Sequence, residues 1–205
     1  MSPRKAAVLR EGDRSLHEHL VATTERMISE QGTAGLTVRA IAREAGVADG
    51  VLYNYFADKE ELLAEALRAH VRSVERGLGE LPEPGRGTIA DNLRAHIEYG
   101  LAMHRAILPA FAGLLAQPKV LDRFTELGSP GEDWRDRLRD YLRAERELGR
   151  LALDAKVDAA AAMIVGVCHE TVLTLLFQEV ARPMAADDID DLIAVVLDGI
   201  GTGLS

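Results

Sequence analysis

The chain has 205 residues, 47% of them apolar and 28% charged, with a mean hydropathy near zero; it is long enough to bury a core and too apolar to stay disordered. A single cysteine, Cys168, excludes an internal disulfide framework and fits a reducing compartment. The net charge of −9 would argue against nucleic acid only if it were evenly spread, and it is not: residues 1–59 hold eight basic and eight acidic side chains, so the whole acidic excess lies beyond Lys59.

In chain order, Pro3, Arg4, Lys5 and Arg10 read as a frayed basic arm. Helix signals begin at Ser15, with Leu16, Leu20, Thr24, Met27 and Ile28 near one face until Gln31-Gly32 ends the run. Thr37 caps a second, short helix with Val38, Ile41, Ala42 and Ala45 inward, stopped by Gly46. The next stretch, GVADGVLYNYF, is ambiguous: Asp-Gly followed by β-branched and aromatic residues is a hairpin signal. Its helical surroundings decide for a short helix from about Asp49 to Tyr55, with Asp49 as its cap. Asp58, with Glu61 three residues on, opens a long helix from Lys59 to about Gly79.

Leu81-Pro82-Glu83-Pro84-Gly85-Arg86-Gly87 is a breaker. Helices follow over 88–108, 109–116 and 118–127, then a Gly128-Ser129-Pro130-Gly131 turn. The next helix puts Trp134, Leu138, Tyr141, Leu142 and Leu148 on one face and its alternating Arg, Asp and Glu residues on the solvated one. The stretches 154–181 and 187–200 are apolar over most of their circumference, which demands burial on more than one side. The longest uninterrupted apolar run, Ala159 to Cys168, falls short of the roughly 18 residues that span a bilayer, so a cytoplasmic chain with no membrane partner is expected. The expected class is all-α, of about nine helices.

Residues 37–56 form one unit: a helix, a turn at Gly46-Val47 and a second helix sharing the core residues Val38, Ile41, Val47, Leu52 and Phe56. That is helix-turn-helix spacing, in which the second helix enters the major groove of DNA. The stretch GLTVRAIAREAGVADGVLYNYFADKEELL, Gly35 to Leu63, strongly resembles the N-terminal signature of the tetracycline-repressor-like (TetR) family of transcriptional regulators.

The resemblance implies an N-terminal DNA-binding domain of three helices over 1–60 and a helical bundle for ligand binding and dimerisation over 61–205. Phosphate contacts are then expected from Thr37, Tyr53 and Lys59, and base-edge contacts from Ala48, Asp49, Gly50, Val51 and Asn54, with Arg39 as a further contact to base or phosphate. Ala48 departs from the family, which commonly has serine or threonine there.

The resemblance further implies a small-molecule effector inside the bundle. Candidate lining residues are His96, Tyr99, Met103, Phe111, Trp134, Tyr141, Cys168, His169 and Phe177, which combine apolar area with a few polar tips. Each of them also fits a plain core position. A buried His169 needs a partner: Glu98, another helix or the ligand. The all-round apolar character of the last two helices, with the family's usual four-helix interface, implies a homodimer through Val165, Val172, Leu176, Ile189, Ile193, Val196 and Ile200, and hence a pseudo-palindromic double-stranded operator. No histidine or cysteine spacing suits a metal, and no phosphate loop, nucleophile elbow or acid–base constellation is present, so neither cofactor nor catalysis is expected. A helical small-molecule-binding protein or enzyme without specific DNA binding is the other reading.

Overall fold

The computed structural model describes residues 3–128, 133–177 and 182–200. Among the described residues, every regular element is helical: nine α-helices and one 3-10 turn. Helix α1 spans Pro3–Gln31, α2 Val38–Ala45, α3 Asp49–Leu52, α4 Lys59–Leu78 and α5 Ile89–Phe111. The 3-10 turn is Ala112–Ala116, followed by α6 Pro118–Glu126, α7 Trp134–Glu147, α8 Val157–Phe177 and α9 Ala186–Ile200. Part of the Gly128-Ser129-Pro130-Gly131 turn, and the stretch 178–181 assigned to the penultimate helix, lie outside the described residues.

Two expectations about helix ends are corrected. The supposed basic arm is helical from Pro3; proline suits a helix start, where its missing N–H would have had no partner, and most of the residues after it are good helix formers. The break expected at Pro109 does not occur, because Pro109 sits in the last turn of α5 and forfeits a bond only where the chain already tightens into the 3-10 turn.

The chain divides into two compact units, residues 1–76 with 109–128, and residues 77–108 with 129–205. The core of the first is built from Leu20, Ile28, Leu36, Ile41, Ala42, Leu52, Phe56, Leu62, Leu63, Leu67, Leu114 and Val120. The first half of α4, beyond residue 60, therefore packs with the helix-turn-helix. Polar links reinforce it: Thr24 donates to the Leu20 carbonyl at 2.8 Å, Thr33 to the Ala110 carbonyl at 3.2 Å, and Arg68 to the Phe124 carbonyl at 3.0 Å while lying over the Phe124 ring.

In the second unit the breaker loop is tied down. Glu145, fully buried on α7, accepts from the Gly85 N–H at 3.1 Å and pairs with Arg150 at 3.3 Å. Arg150 donates to the Gly87 carbonyl at 2.7 Å, and Asn92 to the Arg86 carbonyl at 2.7 Å. Gly100 brings α5 and α7 close, since a Cβ there would overlap the Trp134 ring.

Helix α8 has 21 residues and a mean hydropathy of 1.8 over its apolar window, sufficient by length and composition to cross a bilayer. Counting only the uninterrupted run to Cys168 hid this, because His169, Glu170 and Thr171 break it. One flank of α8 is buried in the bundle: Val157, Ala160, Ala161, Ile164, Val165, Cys168, Thr171 and Val172.

Candidate nucleic-acid interface and effector site

Helix α2 starts at Thr37, whose hydroxyl accepts from the Ala40 N–H at 3.1 Å. It ends in a Schellman motif: Val47 N–H to the Ala42 carbonyl at 3.0 Å and Gly46 N–H to that of Arg43 at 3.3 Å, with Gly46 left-handed at φ 71°. This turn is why glycine stands at 46, and it aims the chain into α3. Bonds to α1 hold α2 in place: His19 Nε2 lies 3.1 Å from the Ala45 carbonyl, and Arg26 pairs with Glu44 at 2.6 Å.

The recognition segment is shorter than expected. One α-helical turn, Asp49–Leu52, is followed by tight bonds from Asn54 to Val51 and from Tyr55 and Phe56 to Leu52. Gly50, Val51 and the two tyrosines are weak helix formers, and burial of Leu52 and Phe56, both 3% exposed, holds the turn instead. Asp49 does not cap it. Ala48 occupies the cap position with no side-chain bond, and the Asp49 carboxylate lies 3.4 Å from Arg39 Nε on α2.

Thr37, Arg39, Ala48, Asp49, Gly50, Tyr53 and Asn54 are exposed, and Val51 is half-buried beside them. The Tyr53 ring is 61% exposed. Lys59 differs: it is half-buried and its ammonium donates to the Leu36 carbonyl at 3.3 Å, which leaves two N–H bonds for another acceptor. At the start of α4 the expected cap is present, with the Glu61 N–H to Asp58 at 2.8 Å and the Glu61 carboxylate back to the Ala57 N–H at 2.5 Å. Arg123 on α6 also pairs with Asp58 at 3.1 Å.

Of the expected effector residues, six gather in the second unit as buried side chains of α5, α7 and α8: His96, Tyr99, Met103, Trp134, Tyr141 and Cys168. The His96 ring lies 4.7 Å from that of Tyr141. Arg137 donates to the Tyr99 hydroxyl at 3.0 Å. His169, half-buried, packs edge-on against His104 of α5 at 4.2 Å, so of the expected partners it is another helix that meets it. Phe111 belongs to the first unit, against Phe124 at 5.0 Å, and Phe177 is 79% exposed. His104 and Arg137 were missed by the sequence reading, although each is four residues from a glycine or tyrosine of the same helix face: Gly100 and Tyr141. A groove of about 400 Å³ in the first unit, lined by His17, Glu25, Glu65, Arg68 and Arg72 among others, collects none of the expected effector residues.

Burial sets the protonation of this layer. Desolvation, aided by the Arg137 charge, lowers His96 to about 4, and desolvation lowers His104 to about 4 despite its bond to the Gly100 carbonyl. Both rings are neutral at pH 7. Burial pushes the Cys168 thiol up to about 12 and so leaves it unreactive.

The expected dimer residues need correction. Val165, Val172, Ile189, Ile193 and Val196 are buried within the chain itself, and the Ile200 side chain lies outside the described residues. Of the described side chains of the set, Leu176 alone faces outward. The outward stripe of α8 is Ala159, Ala162, Met163, Gly166, Leu173, Leu176 and Phe177, with the exposed acids Asp158, paired with Arg143 at 2.8 Å, and Glu170 on the same side. Helix α8, apolar on nearly every side, does not reveal from periodicity which flank turns inward, whereas in α9 the aspartates 187, 190, 191 and 198 lie opposite the buried Ile189, Ile193 and Val196.

A short recognition turn, aimed by a glycine-terminated helix and carrying exposed hydroxyl, amide and guanidinium groups, defines a helix-turn-helix module on an all-α scaffold. Residues 20–66 match the model of the family described as bacterial regulatory proteins, tetR family, so the helix-turn-helix segment is similar to that family's domain. Among curated relatives, the regulator BetI of Stenotrophomonas maltophilia is 32% identical over 111 residues, 50% of this chain and 56% of the relative. The repressor NemR of Escherichia coli is 31% identical over 84 residues, 41% of this chain and 42% of the relative. The chain thus spans about half the length of the curated relatives it matches. These relatives are named as transcriptional regulators, not enzymes. Among solved structures, the regulator FadR of Bacillus subtilis in complex with stearoyl-CoA shares the fold, with a TM-score of 0.56 and 22% identity over 88% of this chain and 95% of that one.

Proposed function

We propose that this protein is a transcriptional regulator that binds a pseudo-palindromic double-stranded operator as a homodimer in the cytoplasm and is released by a small, largely apolar effector. The observation that carries the reading is the exposed set Thr37, Arg39, Ala48, Asp49, Gly50, Tyr53 and Asn54 around the recognition turn, within a domain matching the family. In this reading residues 1–60 read DNA, with 61–76 and 109–128 in the same compact unit, and the rest of 61–205 takes the effector and the second protomer. Thr37, Tyr53 and Lys59 hold phosphates, while Ala48, Asp49, Gly50, Val51 and Asn54 meet base edges, Asn54 suiting adenine and the methyls suiting thymine.

Asp49 acts through Arg39. In free protein the carboxylate balances the guanidinium across the turn, and next to cytosine N4 it becomes an acceptor that Arg39 keeps from repelling phosphate. The second protomer packs on the outward stripe of α8, since an apolar run from Ala159 to Phe177 interrupted only by Glu170 is a poor surface to leave in water. An effector reaching His96 and its neighbours must part α5 from α7, because these side chains are all less than 9% exposed. The test is a gel shift with DNA flanking the protein's own gene: specific retardation, reversed by a metabolite extract, is expected. Only nonspecific binding at physiological salt would overturn the reading and leave a small-molecule-binding protein.

A further inference from the structure

His96, Gly100 and His104 share one face of α5 at four-residue spacing. Trp134 of α7 lies against the middle of that face: a Cβ on Gly100 would overlap the indole ring and stand 2.9 Å from Cε2, the carbon bonded to Nε1. The indole nitrogen is therefore about 6 Å, one helical turn, along α5 from His96. The two histidines of the face differ. His104 Nδ1 donates to the Gly100 carbonyl at 2.6 Å, whereas both ring nitrogens of His96, 1% exposed, are buried without a hydrogen bond. The Trp134 Nε1–H, also 1% exposed, has none either.

Buried polar groups left unpaired are costly, and two of them within one turn point to a ligand that completes both. Parting α5 from α7 there separates rings but breaks no hydrogen bond of His96 or of the indole. Desolvation keeps the His96 imidazole neutral at pH 7, so it offers one N–H and one lone pair, and the indole adds a second N–H. A carboxylate accepts from such a set but has nothing to donate to the lone pair; an ammonium donates but does not accept. The neighbouring charged groups are already bonded: Arg137 donates to the Tyr99 hydroxyl, and Glu145 holds the Gly85 N–H and Arg150. An ion entering the layer would exchange its water shell for groups already in use, whereas a hydroxyl both accepts and donates without carrying charge.

We propose that His96 and Trp134 bind the hydroxyl of an uncharged alcohol or phenol, its oxygen accepting from the indole N–H and donating to the imidazole nitrogen while its apolar body lies toward Met103. The assignment rests on the effector reading above and narrows it from a largely apolar molecule to one with a neutral hydroxyl head. The body supplies burial; the head supplies selection, since an ether leaves the imidazole lone pair unpaired and an acid brings a charge.

The experiment uses the full chain and two alcohols, benzyl alcohol and 1-octanol, each beside its methyl ether and its carboxylate, read by thermal shift and by calorimetric Kd. The alcohols are expected to raise the melting temperature and to bind at least ~5-fold more tightly than their ethers and acids, the size of one hydrogen bond. Trp134 is the single tryptophan of the chain, so its emission reports on the site directly and should move to longer wavelength as an alcohol saturates. His96→Phe keeps the ring volume and removes both nitrogens; shown to be folded by circular dichroism, it should lose the preference for alcohol over ether. The comparison of probes on the unaltered chain, and its emission, stand without that variant. Ethers that bind as tightly as alcohols, an unmoved emission, or a folded variant that keeps the preference would overturn the hydroxyl assignment while leaving a ligand site in the bundle. Tighter binding of the acids would overturn it in favour of an anionic effector. No response to any of the six probes would overturn the assignment and count against the effector reading as well.

Discussion

At the residue scale, the two buried histidines, His96 and His104, make stability depend on pH. Each is held near 4 in the folded chain against an ordinary value of 6.5, so between those values the unfolded chain binds more protons. Stability is therefore full above about pH 7 and falls as the pH drops toward 4, by roughly 2 kcal/mol per histidine at pH 5. The groups facing them are Tyr141 and Arg137 for His96, and the Gly100 carbonyl, Trp134 and His169 for His104. Urea unfolding at pH 7 and pH 5 checks this, and a folded His96→Phe variant should lose about half of the difference. Lys59 is a second residue-scale case. Lys59→Ala should weaken operator binding and reduce the slope of log K against log salt by about 0.9, the release of one phosphate contact. An unchanged slope would mean that Lys59 serves only the Leu36 carbonyl.

At the element scale, the recognition turn survives on its neighbours. Its residues prefer strand or hairpin, and the hairpin signal in Asp49-Gly50 is real in isolation; burial of Leu52 and Phe56 against α2 and α4 overrides it. The device that directs the chain there is Gly46 at φ 71°. Gly46→Ala should cost about 1–2 kcal/mol, the penalty of a left-handed alanine, seen as a lowered urea midpoint with an unchanged m-value. Asp49→Ala should change stability by less than about 0.5 kcal/mol, because its partner Arg39 is an exposed ion pair, while altering base preference on a randomised operator library. A large loss of stability instead would restore Asp49 as a structural cap. Thr37 was legible as a cap from its type and position alone, because capping is a local rule. Asp49 was not, because whether a carboxylate caps or reaches across a turn depends on where α2 lies.

At the scale of the whole molecule, the outward stripe of α8 and the inward residues of α8 and α9 separate two outcomes that look alike in sequence. Leu176→Asp, on the stripe, should give folded monomers by light scattering. Val196→Asp, 2% exposed within the chain, should instead unfold the protein, as an unpaired buried charge does. A dimeric Leu176→Asp, Phe177→Asp double variant would move the interface off α8.

The sequence by itself determined what depends on short range: the all-α class, the helix-turn-helix, the caps at Thr37 and Asp58, and the family signature from Gly35 to Leu63. These follow from periodicity and from residues acting within a few positions of themselves. Tertiary structure decided what depends on which flank meets which. It turned Val165 and Val172 of α8 inward, kept Phe111 in the first unit, and joined residues 61–76 and 109–128 to the helix-turn-helix unit. It also buried His96 against Tyr141 and Trp134 against His104. A helix that is apolar all round carries no record of its own orientation, so that information exists only once its neighbours are in place.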